Sequence, residues 1–456
     1  MRKSFVVMLF FSLLLLLAAC SDSSSDNNNN VSSSNSIQSS NTNQQQEVDQ
    51  AEEKQQEQVV LPEPEGELTW FGFAGEQHFE DFFAQYLREK FPKLKINYIA
   101  QTNEQRIEQV LASGTAVDLY FSSAGELFED FIPANMAQDL TPYIKQYGIN
   151  LDTIDDAYLE QVSIDEKLYL LPVSENKFVM YYNKDIFDRF GVDYPRDGMT
   201  WGEALELSKK ITRNEGGKQY VGLWLSPKHY MRAAQNSATF IDRDTNKATV
   251  NNDDWKLIFE KIFSDFTRDP GVQQKARDRW LAHNDFNKDF VVGMYVYTSG
   301  WLNTHEESLA MNWDIAAIPQ LEEYPGLTAQ PNATYVGISA NSAKQEIAMQ
   351  VVSYLLSEEY QIEVSKRGAI TPLSTPAVRD AAFADFPFTD KNIPALFYGQ
   401  LAPGRAITEY DEIVIEEAFA KDIIVEIVRG NMDVNSALRY AEDKANKLIE
   451  ERLASE

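Results

Sequence analysis

From Gly66 onward the chain alternates short apolar runs, typical of buried strands, with segments whose apolar residues recur at helical spacing. Glu67–Phe73 (ELTWFGF) predicts a strand, and His78–Phe91 predicts a helix that Pro92 ends. Lys95–Ile99 predicts the next strand. Because strands that alternate with helices are typical of parallel sheets covered by helices, the pattern predicts parallel α/β packing.

The middle and the end of the chain repeat this alternation. Lys177–Asn183 predicts a strand, and Thr200-Trp201-Gly202-Glu203 is a capping box that predicts the start of a helix. Phe290–Tyr297 predicts a strand that runs into Thr298-Ser299-Gly300-Trp301, and the last helix is predicted to begin near Asp433. A length of 456 residues leaves room for two or three domains of roughly 150 residues. No short repeat period is visible, so two α/β lobes are the predicted architecture.

The charge balance restricts the kinds of molecule that the protein is expected to bind. The chain has 41 Lys and Arg residues against 70 Asp and Glu residues, a formal net charge of −29. So acidic a surface repels phosphate backbones, which argues against a nucleic-acid partner. A single cysteine excludes an intrachain disulfide and a thiolate metal cluster.

The N-terminus predicts a targeting segment, with a signal peptide over residues 1–19. Arg2-Lys3 is a basic start, and fourteen of the sixteen residues Ser4–Ala19 are apolar. The run ends in Leu17-Ala18-Ala19-Cys20, which resembles the lipobox of bacterial lipoproteins. The resemblance implies a diacylglycerol thioether on Cys20 and a lipid anchor at the extracytoplasmic face of the cell membrane. The alternative is an ordinary secretory signal with a cysteine at this place by chance.

Residues 20–65 are predicted to form a disordered tether. Among the 38 residues from 21 to 58 only Val31, Ile37, Val48 and Ala51 are apolar. Such a stretch cannot bury enough surface to offset the entropy of ordering it. Its Asn and Gln runs leave a prion-like segment as the alternative, but a tether that holds a folded module away from a membrane is the preferred interpretation.

Seven stretches, in this order, are similar to the extracytoplasmic solute-binding proteins of ABC importers, in the sugar-binding family that includes maltose-binding protein. The most recognisable is the Tyr-Asn-Lys-Asp that follows an extended strand. The stretches are WFGFAGEQHFEDFF, LASGTAVDLYFSS, LPVSENKFVMYYNKDIFDRFGV, TWGEALELSKKI, VVGMYVYTSGWLNT, IPQ…TYVGISANSAKQEIAMQVVSYLL and RGNMDVNSALRYAEDKANKLIEE. Together they cover nearly everything from Gly66 to the C-terminus, whereas the loop after Gly222 departs most from the family pattern.

The resemblance implies a two-lobed periplasmic-binding-protein-like fold of type II, with discontinuous lobes joined by hinge strands. Lobe 1 would comprise 66–176 and 332–373, and lobe 2 would comprise 177–331 and 374–456. The chain would cross between them near Ser174–Lys177, within Pro319–Pro331 and near Thr371–Pro376, which suits closure around a ligand. The implied partners are a carbohydrate ligand, expected to be an oligosaccharide, and the permease of an ABC importer. The protein is expected to be a monomer without a cofactor.

A sugar offers hydroxyls to polar side chains and C–H faces to aromatic rings, so its site combines both in a concave cleft. Trp301 is the leading candidate, because it follows a strand end and a Ser-Gly turn and matches the place of the family's stacking Trp. Its alternative is a core Trp packed on a helix. The predicted ligand-binding residues are Glu76, Ser123, Glu175, Asn176, Trp224, Tyr230, Trp301 and Tyr410.

The other candidates depend on position. Glu175 and Asn176 stand at the first predicted crossing, where the family places polar ligand contacts, although a solvated hinge is the alternative. Glu76 and Ser123 follow first-lobe strands, at the sheet edge where open α/β sheets bind ligands. Either could instead cap a helix or lie in its first turn. The remaining three aromatic residues are carried over by approximate position only, and a core or surface place is their alternative.

Other classes of function leave weaker signals. A surface glycosidase would need two carboxylates at a set separation, and no recognisable catalytic motif holds such a pair. His305-Glu306 begins like a zincin helix but lacks the second His. Asp242-x-Asp244-x-Asn246 imitates part of a calcium loop, yet Lys247 stands where glycine is needed, so a polar β-hairpin is predicted there. No catalytic or metal-binding residue is predicted, and a glycan-acting glycosidase and a sensor-coupled binding protein stay open as alternatives.

Overall fold

The computed structural model of the protein describes residues 62–264, 268–278, 281–304 and 311–455. The predicted signal peptide, Cys20 and residues 21–61 of the predicted tether lie outside these ranges, as does the His305-Glu306 pair. Within the described ranges, no helix combines the length and the apolar character needed to cross a bilayer.

The strands are numbered here in chain order. They are β1 (Gly66–Gly72), β2 (Leu94–Ala100), β3 (Leu119–Ser122), β4 (Ser163–Ile164), β5 (Lys167–Leu168), β6 (Leu171–Glu175), β7 (Phe178–Asn183), β8 (Arg213–Glu215), β9 (Lys218–Leu225), β10 (Ile241–Asp242), β11 (Lys247–Ala248), β12 (Val292–Thr298), β13 (Trp313–Ala317) and β14 (Ala333–Ile338).

These strands form two five-stranded sheets, one in each lobe. The first has the order β2-β1-β3-β14-β6 and the second has the order β13-β7-β12-β9-β8. Two-stranded pairs β4-β5 and β10-β11 lie outside them. The second of these pairs is the antiparallel hairpin Ile241–Ala248, so the predicted polar hairpin is confirmed.

Both sheets are mixed, so the predicted parallel packing is confirmed for some strand pairs and does not extend to the others. β1 runs parallel to β2 and β3, and β12 runs parallel to β9. By contrast, β14 is antiparallel to β3 and β6, and β7 is antiparallel to β12 and β13. β14 and β7 are the strands that the chain enters on crossing from one lobe to the other. Neither strand is joined to its sheet neighbour by a helical crossover. The right-handed crossover connection that makes neighbouring strands parallel is therefore absent at these two strands.

Helices cover the sheets, and several of them contain wider π-helical turns. Thr200 caps one helix as predicted: its hydroxyl accepts from Glu203 N at 3.2 Å, and Glu203 Oε2 accepts from Thr200 N at 2.9 Å. The α-helices are Glu76–Phe79, Gln85–Lys90, Ile107–Ala112, Ala124–Glu126, Thr141–Tyr147, Asp156–Glu160, Lys184–Phe190, Trp201–Ile211, Pro227–Arg232, Asp253–Ile258, Pro270–Asp278, His283–Asn287, Trp301–Thr304, Gln345–Leu355, Glu358–Lys366, Pro376–Ala381, Ile424–Val428 and Val434–Ser455. The π-helical segments are Glu80–Ala84, Leu127–Phe131, Phe259–Ser264 and Ile413–Ile423, and short 3₁₀ turns occupy Leu151–Thr153 and Ile393–Phe397.

Each sheet has a hydrophobic core of its own. Trp70 and Val336 belong to the first core, although 266 residues separate them in sequence, because β14 returns to the first sheet. Val179 and Leu438 belong to the second core, because the C-terminal helix Val434–Ser455 packs in the second lobe. Burial of these apolar surfaces is the main stabilising contribution in each lobe.

The third crossing between the lobes does not take place at a single boundary near residue 373. Ile370, assigned to lobe 1 by sequence, packs in the second core. Val378 and Ile407, assigned to lobe 2, pack in the first core. The segment from 370 to 407 therefore interleaves with both lobes rather than passing once from one to the other.

Candidate functional site

A cleft of about 470 Å³ lies between the two sheets. Its lining comes from the first lobe, from the crossing segments and from the second lobe. The cleft lies where an open α/β sheet binds ligands, because side chains that follow the strand ends collect there. We call the three parts of the cleft the first wall, the floor and the second wall.

The first wall is mainly phenylalanine. Phe73 follows β1 directly, Phe82 and Phe83 lie on the π-helical turn Glu80–Ala84, and Phe121 lies in β3. A Cβ on Gly72 would lie 2.6 Å from Phe121 Cδ2, so glycine allows this ring to pack flat on the strand. Phe121 is 1% exposed, whereas Phe73 is 41% exposed. The wall thus has a packed base and one solvent-facing ring.

His78 is the polar side chain on the first wall with room to serve a ligand. Its ring stacks on Phe82 with centroids 4.7 Å apart, and desolvation by its neighbours lowers its pKa, against an opposing effect of Asp81. Tyr360 also lines the cleft, but its hydroxyl already donates to Phe82 O at 2.6 Å. At neutral pH this wall offers an uncharged imidazole and aromatic rings.

The floor is polar and ties the crossing segments together. Asn176 N donates to Asn332 O at 3.0 Å, and Asn332 Nδ2 donates to Asn176 O at 3.2 Å. Asn332 N donates to Glu175 Oε1 at 3.1 Å. Glu175 N donates in turn to Ile370 O at 2.8 Å, so all three crossings meet beneath the cleft.

Glu175 is the carboxylate of the floor and is 4% exposed. Burial raises its pKa, while nearby Lys177, a hydrogen bond with Tyr158 and the Asn332 N–H oppose that rise. Lys177 itself lines a second groove rather than the cleft, and its ammonium lies 5.7 Å from the centroid of the Phe397 ring. Of the described residues that line the cleft, none is Lys or Arg, and Glu175 is the single acid.

The second wall is built where β12 ends. Tyr297 and Thr298 close the strand, Ser299 and Gly300 form the turn, and Trp301 begins a short helix. A Cβ on Gly300 would lie 2.3 Å from Asn176 Oδ1. Glycine at this turn therefore lets the second wall approach the floor closely.

Two histidines complete the second wall. His229 Nδ1 lies 2.6 Å from Ser226 Oγ, and His283 Nδ1 lies 3.0 Å from the Tyr295 hydroxyl. Both rings pack against Tyr297, with centroids 5.2 Å and 4.8 Å away. Burial, together with the positive charges of Arg232 and Lys228, lowers the pKa of His229 to about 4. His229 is therefore a neutral hydrogen-bonding group at physiological pH.

Trp301 lines the cleft but is also part of the second core. It is 4% exposed, and its ring meets Tyr181 edge-on with centroids 4.8 Å apart. Phe286 lies 5.7 Å away and Tyr295 6.2 Å away. Both alternatives left open by the sequence therefore describe Trp301. Its side chain lines the cleft and also packs in the second core.

Three predicted site residues lie together in the cleft, and two others do not reach it. Trp301, Glu175 and Asn176 line it. Ser123 instead caps the helix Ala124–Glu126, where its hydroxyl accepts from Glu126 N at 3.2 Å. Glu76 lies exposed in the first turn of a helix, outside the cleft lining. For these two, the capping and first-turn alternatives describe the structure.

The three aromatic residues carried over by approximate position are core residues. Trp224, Tyr230 and Tyr410 are 1%, 0% and 2% exposed, and none of them lines the cleft. Trp224 lies in β9, and the Tyr230 hydroxyl donates to Gln235 Oε1 at 2.9 Å inside the lobe. We correct the predicted site accordingly and leave these three out.

Sequence reasoning missed the histidines, Phe73 and Asn332. Three of the chain's four histidines, His78, His229 and His283, line one cleft. The scarcity of histidine was a usable signal, but the separation of the three along the chain gave no spacing to read. Within the described ranges, no cluster of His, Cys, Asp and Glu is arranged to hold a metal ion. The cleft's chemistry is hydrogen bonding and ring stacking.

The model of the family "Bacterial extracellular solute-binding protein" matches residues 76–362. An arabinooligosaccharide-binding protein of Halalkalibacterium halodurans is 24% identical over 310 residues, 63% of this chain and 66% of that protein. A sn-glycerol-3-phosphate-binding periplasmic protein of Rhizobium meliloti is 22% identical over 315 residues, 62% of this chain and 69% of that protein.

Among solved structures, an ABC substrate-binding protein of Listeria monocytogenes in complex with cycloalternan superposes with a TM-score of 0.62 at 20% identity. The match covers 85% of this chain and 99% of that one. At this identity the likeness concerns the fold, and it confirms the predicted two-lobed architecture of type II.

Proposed function

The chain belongs to the bacterial extracellular solute-binding protein family, and from that premise we propose that it captures an uncharged carbohydrate in its cleft and delivers it to an ABC importer. The observation that carries the proposal is the lining of the cleft. Aromatic rings stand on both walls beside hydrogen-bonding side chains, and the described lining contains no Lys or Arg. This combination suits hydroxyls and C–H faces.

The absence of lining cations separates a sugar from a phosphorylated ligand, since one relative is named for sn-glycerol 3-phosphate. A phosphate group is bound by Arg, Lys or a row of backbone N–H groups. The cleft instead offers His229, whose lowered pKa keeps it neutral, and the carboxylate of Glu175. A phosphate dianion next to these groups would lose its hydration without gaining a counter-charge.

The size of the cleft supports a short oligosaccharide as the ligand. Its volume of about 470 Å³ falls within the range of roughly 300–1,000 Å³ that is usual for small-molecule sites. The crossing segments that meet at Glu175, Asn332 and Ile370 provide a hinge, because a few backbone dihedrals can absorb the movement of the lobes.

Calorimetric titration and thermal melts of the module from residue 62 onward would test the ligand. The panel contains arabino-, malto- and manno-oligosaccharides together with sn-glycerol 3-phosphate. A sugar at a hundred times its dissociation constant adds about 2.7 kcal/mol, which raises the melting temperature of a module of this length by about 3 °C. Binding of sn-glycerol 3-phosphate with no response to any sugar would overturn the proposal.

A second experiment separates binding from hydrolysis. A binding protein returns its sugar unaltered and becomes more compact when the lobes close, so the radius of gyration measured by solution scattering should fall on ligand addition. The surface glycosidase needs a second carboxylate, whereas the described lining holds Glu175 alone. Steady turnover of an oligosaccharide, abolished by Glu175→Gln, would favour the enzyme instead.

Delivery to a permease is the third part of the proposal and can be tested against the sensor-coupled alternative. Deleting this protein from its host should abolish uptake of the radiolabelled sugar found in the panel. The expected loss follows from the family role of capturing solute outside the cell. Normal uptake, combined with loss of a sugar-induced transcriptional response, would support the sensor-coupled alternative.

Lipid anchoring is proposed from the motif Leu17-Ala18-Ala19-Cys20. We expect the native protein at the extracytoplasmic face of the cell membrane and Cys20→Ser in the soluble fraction, since removal of the thiol removes the attachment point. Mass spectrometry of the native N-terminus should reveal a lipid-modified Cys20. An unmodified N-terminus, with both forms equally soluble, would leave an ordinary secretory signal.

A further inference from the structure

The two walls of the cleft offer different chemistry to a ligand. Outside the crossings, the first wall presents Phe73, Phe82, Phe83 and Phe121 with a single available polar side chain, His78. The second wall presents His229, His283, Tyr297, Thr298, Ser299 and Trp301, and the floor, with the strand ends beside it, adds Ser174, Glu175, Asn176, Asn332 and Thr334. Hydrogen-bonding groups are therefore concentrated on two of the three sides.

A hydroxyl-covered surface would fit the first wall poorly. Each buried hydroxyl that loses water without gaining a partner is destabilising. Tyr360 cannot offer its hydroxyl proton, which already goes to Phe82 O at 2.6 Å, and Phe83 and Phe121 are buried rings, 4% and 1% exposed. The part of the ligand that meets this wall should therefore present an apolar face rather than hydroxyls, and an aromatic ring presents such a face without any hydroxyl at its edge.

Phe73 marks where that apolar half would lie. It is among the few large apolar side chains of the described ranges that are exposed, at 41%, and it lines the cleft next to Phe121 with ring centroids 6.2 Å apart. Because Phe73 is exposed beside the buried ring of Phe121, it can pair with a further aromatic ring from a ligand. An exposed ring set in a concave site has a ligand as its natural partner.

We propose that the ligand is an aryl glycoside, whose sugar lies on the floor and the second wall and whose aromatic aglycone packs on the first wall around Phe73. The inference rests on the proposed function of carbohydrate capture and names a narrower substrate class for the same cleft. It requires no covalent step, because the glycoside is bound and released intact.

The test uses matched pairs of phenyl and methyl glycosides of glucose, galactose, mannose and arabinose, in both anomers, titrated calorimetrically into the protein. For at least one sugar the phenyl glycoside should bind at least tenfold more tightly than its methyl partner. Phe73→Ala should bring this phenyl-to-methyl ratio down to about one. Phe73→Leu, which keeps bulk but loses the ring, should give an intermediate ratio.

Tyr440→Ala is the matched control, because Tyr440 is similarly exposed at 47% but lies on the C-terminal helix outside the cleft. Its ratio should equal that of the unmodified protein, and a melt of each variant confirms folding. Equal affinity for both members of every pair, or binding of unsubstituted oligosaccharides alone, would overturn the aryl inference while leaving carbohydrate capture intact. Failure of every glycoside and every oligosaccharide to bind would overturn both.

Discussion

The two walls of the cleft occupy comparable places in two α/β lobes, yet they differ in chemistry and in how firmly they are packed. Phe73 follows β1 of the first sheet, and Trp301 follows the turn after β12 of the second. Phe73 is 41% exposed, whereas Trp301 is 4% exposed. A strand end fixes where a side chain emerges, but the neighbours brought by the rest of the fold decide whether it serves the ligand, the core or both.

Removing Trp301 should produce the largest effect. Trp301→Ala is expected to lower the free energy of unfolding by about 3–5 kcal/mol, the range for a large aromatic residue removed from a core, and to abolish sugar binding. Trp301→Phe should retain most of the stability, because the ring still meets Tyr181. Denaturant titration beside calorimetry measures both, and a loss below about 1 kcal/mol would mean that the second wall is as loosely packed as the first.

Substitutions at Glu175 test how much the hydrogen bonds of the floor contribute to the stability of the protein. Glu175→Ala removes the acceptor of the Asn332 N–H, which lies 3.1 Å away, and should reduce the free energy of unfolding by about 1–3 kcal/mol. Glu175→Gln keeps an acceptor oxygen and should lose less. Denaturant titration of both variants decides the point, and equal losses would show that the carboxylate's charge, rather than this hydrogen bond, stabilises the hinge.

The lobes also differ in how the pKa values of their partly buried acids are shifted. Burial, with the nearby charges of Glu412, Asp130 and Glu126, raises the pKa of first-lobe Glu129 to about 8. Because this value exceeds the ordinary 4.5, the stability from protonated Glu129 is present below pH 4.5 and is lost as the pH rises through 8. Between pH 5 and pH 8, Glu129→Gln should therefore have a higher free energy of unfolding than the unmodified protein. The expected difference is about 1–2 kcal/mol after allowance for screening.

Second-lobe Glu416 provides the control with the opposite sign. Burial tends to raise its pKa, but hydrogen bonds from Arg232 and Lys228 outweigh burial and lower it. Its stabilisation is present above the ordinary pKa and is lost as the pH falls. Glu416→Gln should thus lose stability at pH 7, and thermal melts at pH 5, 7 and 8 compare the two variants. The same pH trend in both would remove the distinction between the lobes.

The smallest expected effect is a change in the pH dependence of stability when the histidines of the two walls are replaced. The pKa of His229 is lowered from 6.5 to about 4, so its stabilisation is complete above pH 6.5 and is lost as the pH falls towards 4. His229→Gln should therefore reduce the difference in unfolding free energy between pH 7 and pH 5 by about 1 kcal/mol. His78→Gln should reduce it less, because His78 is more exposed; a larger effect at His78 would contradict the burial difference.

Much of the fold could be predicted from local signals. Apolar runs located β1, β2 and β7 to within a residue or two, and the side-chain pattern of Thr200 and Glu203 located a helix start. The family resemblance is confirmed by the family model over residues 76–362. Strand direction was not predictable in this way, because it depends on which lobe a strand enters after a crossing.

The candidate site was predictable only where it coincides with a crossing or a strand end. Glu175 ends β6, Asn176 follows it, and Trp301 follows the turn after β12, so chain position alone indicated them. Trp224 and Tyr297 are both aromatic residues of strands in the second sheet, yet Trp224 is buried in the core and Tyr297 lines the cleft. Nothing in their local sequence distinguishes them.

The sequence by itself determined the elements, their order and the family, because periodicity and capping are properties of neighbouring residues. The tertiary structure alone decided the chemistry of the cleft. His78, His229 and His283 come from three distant parts of the chain, and only the packing of two sheets on a shared hinge brings them to one cavity. Burial and hydrogen-bond partners are set by residues far apart in sequence, so the contrast between an apolar first wall and a polar second wall exists only in the folded protein.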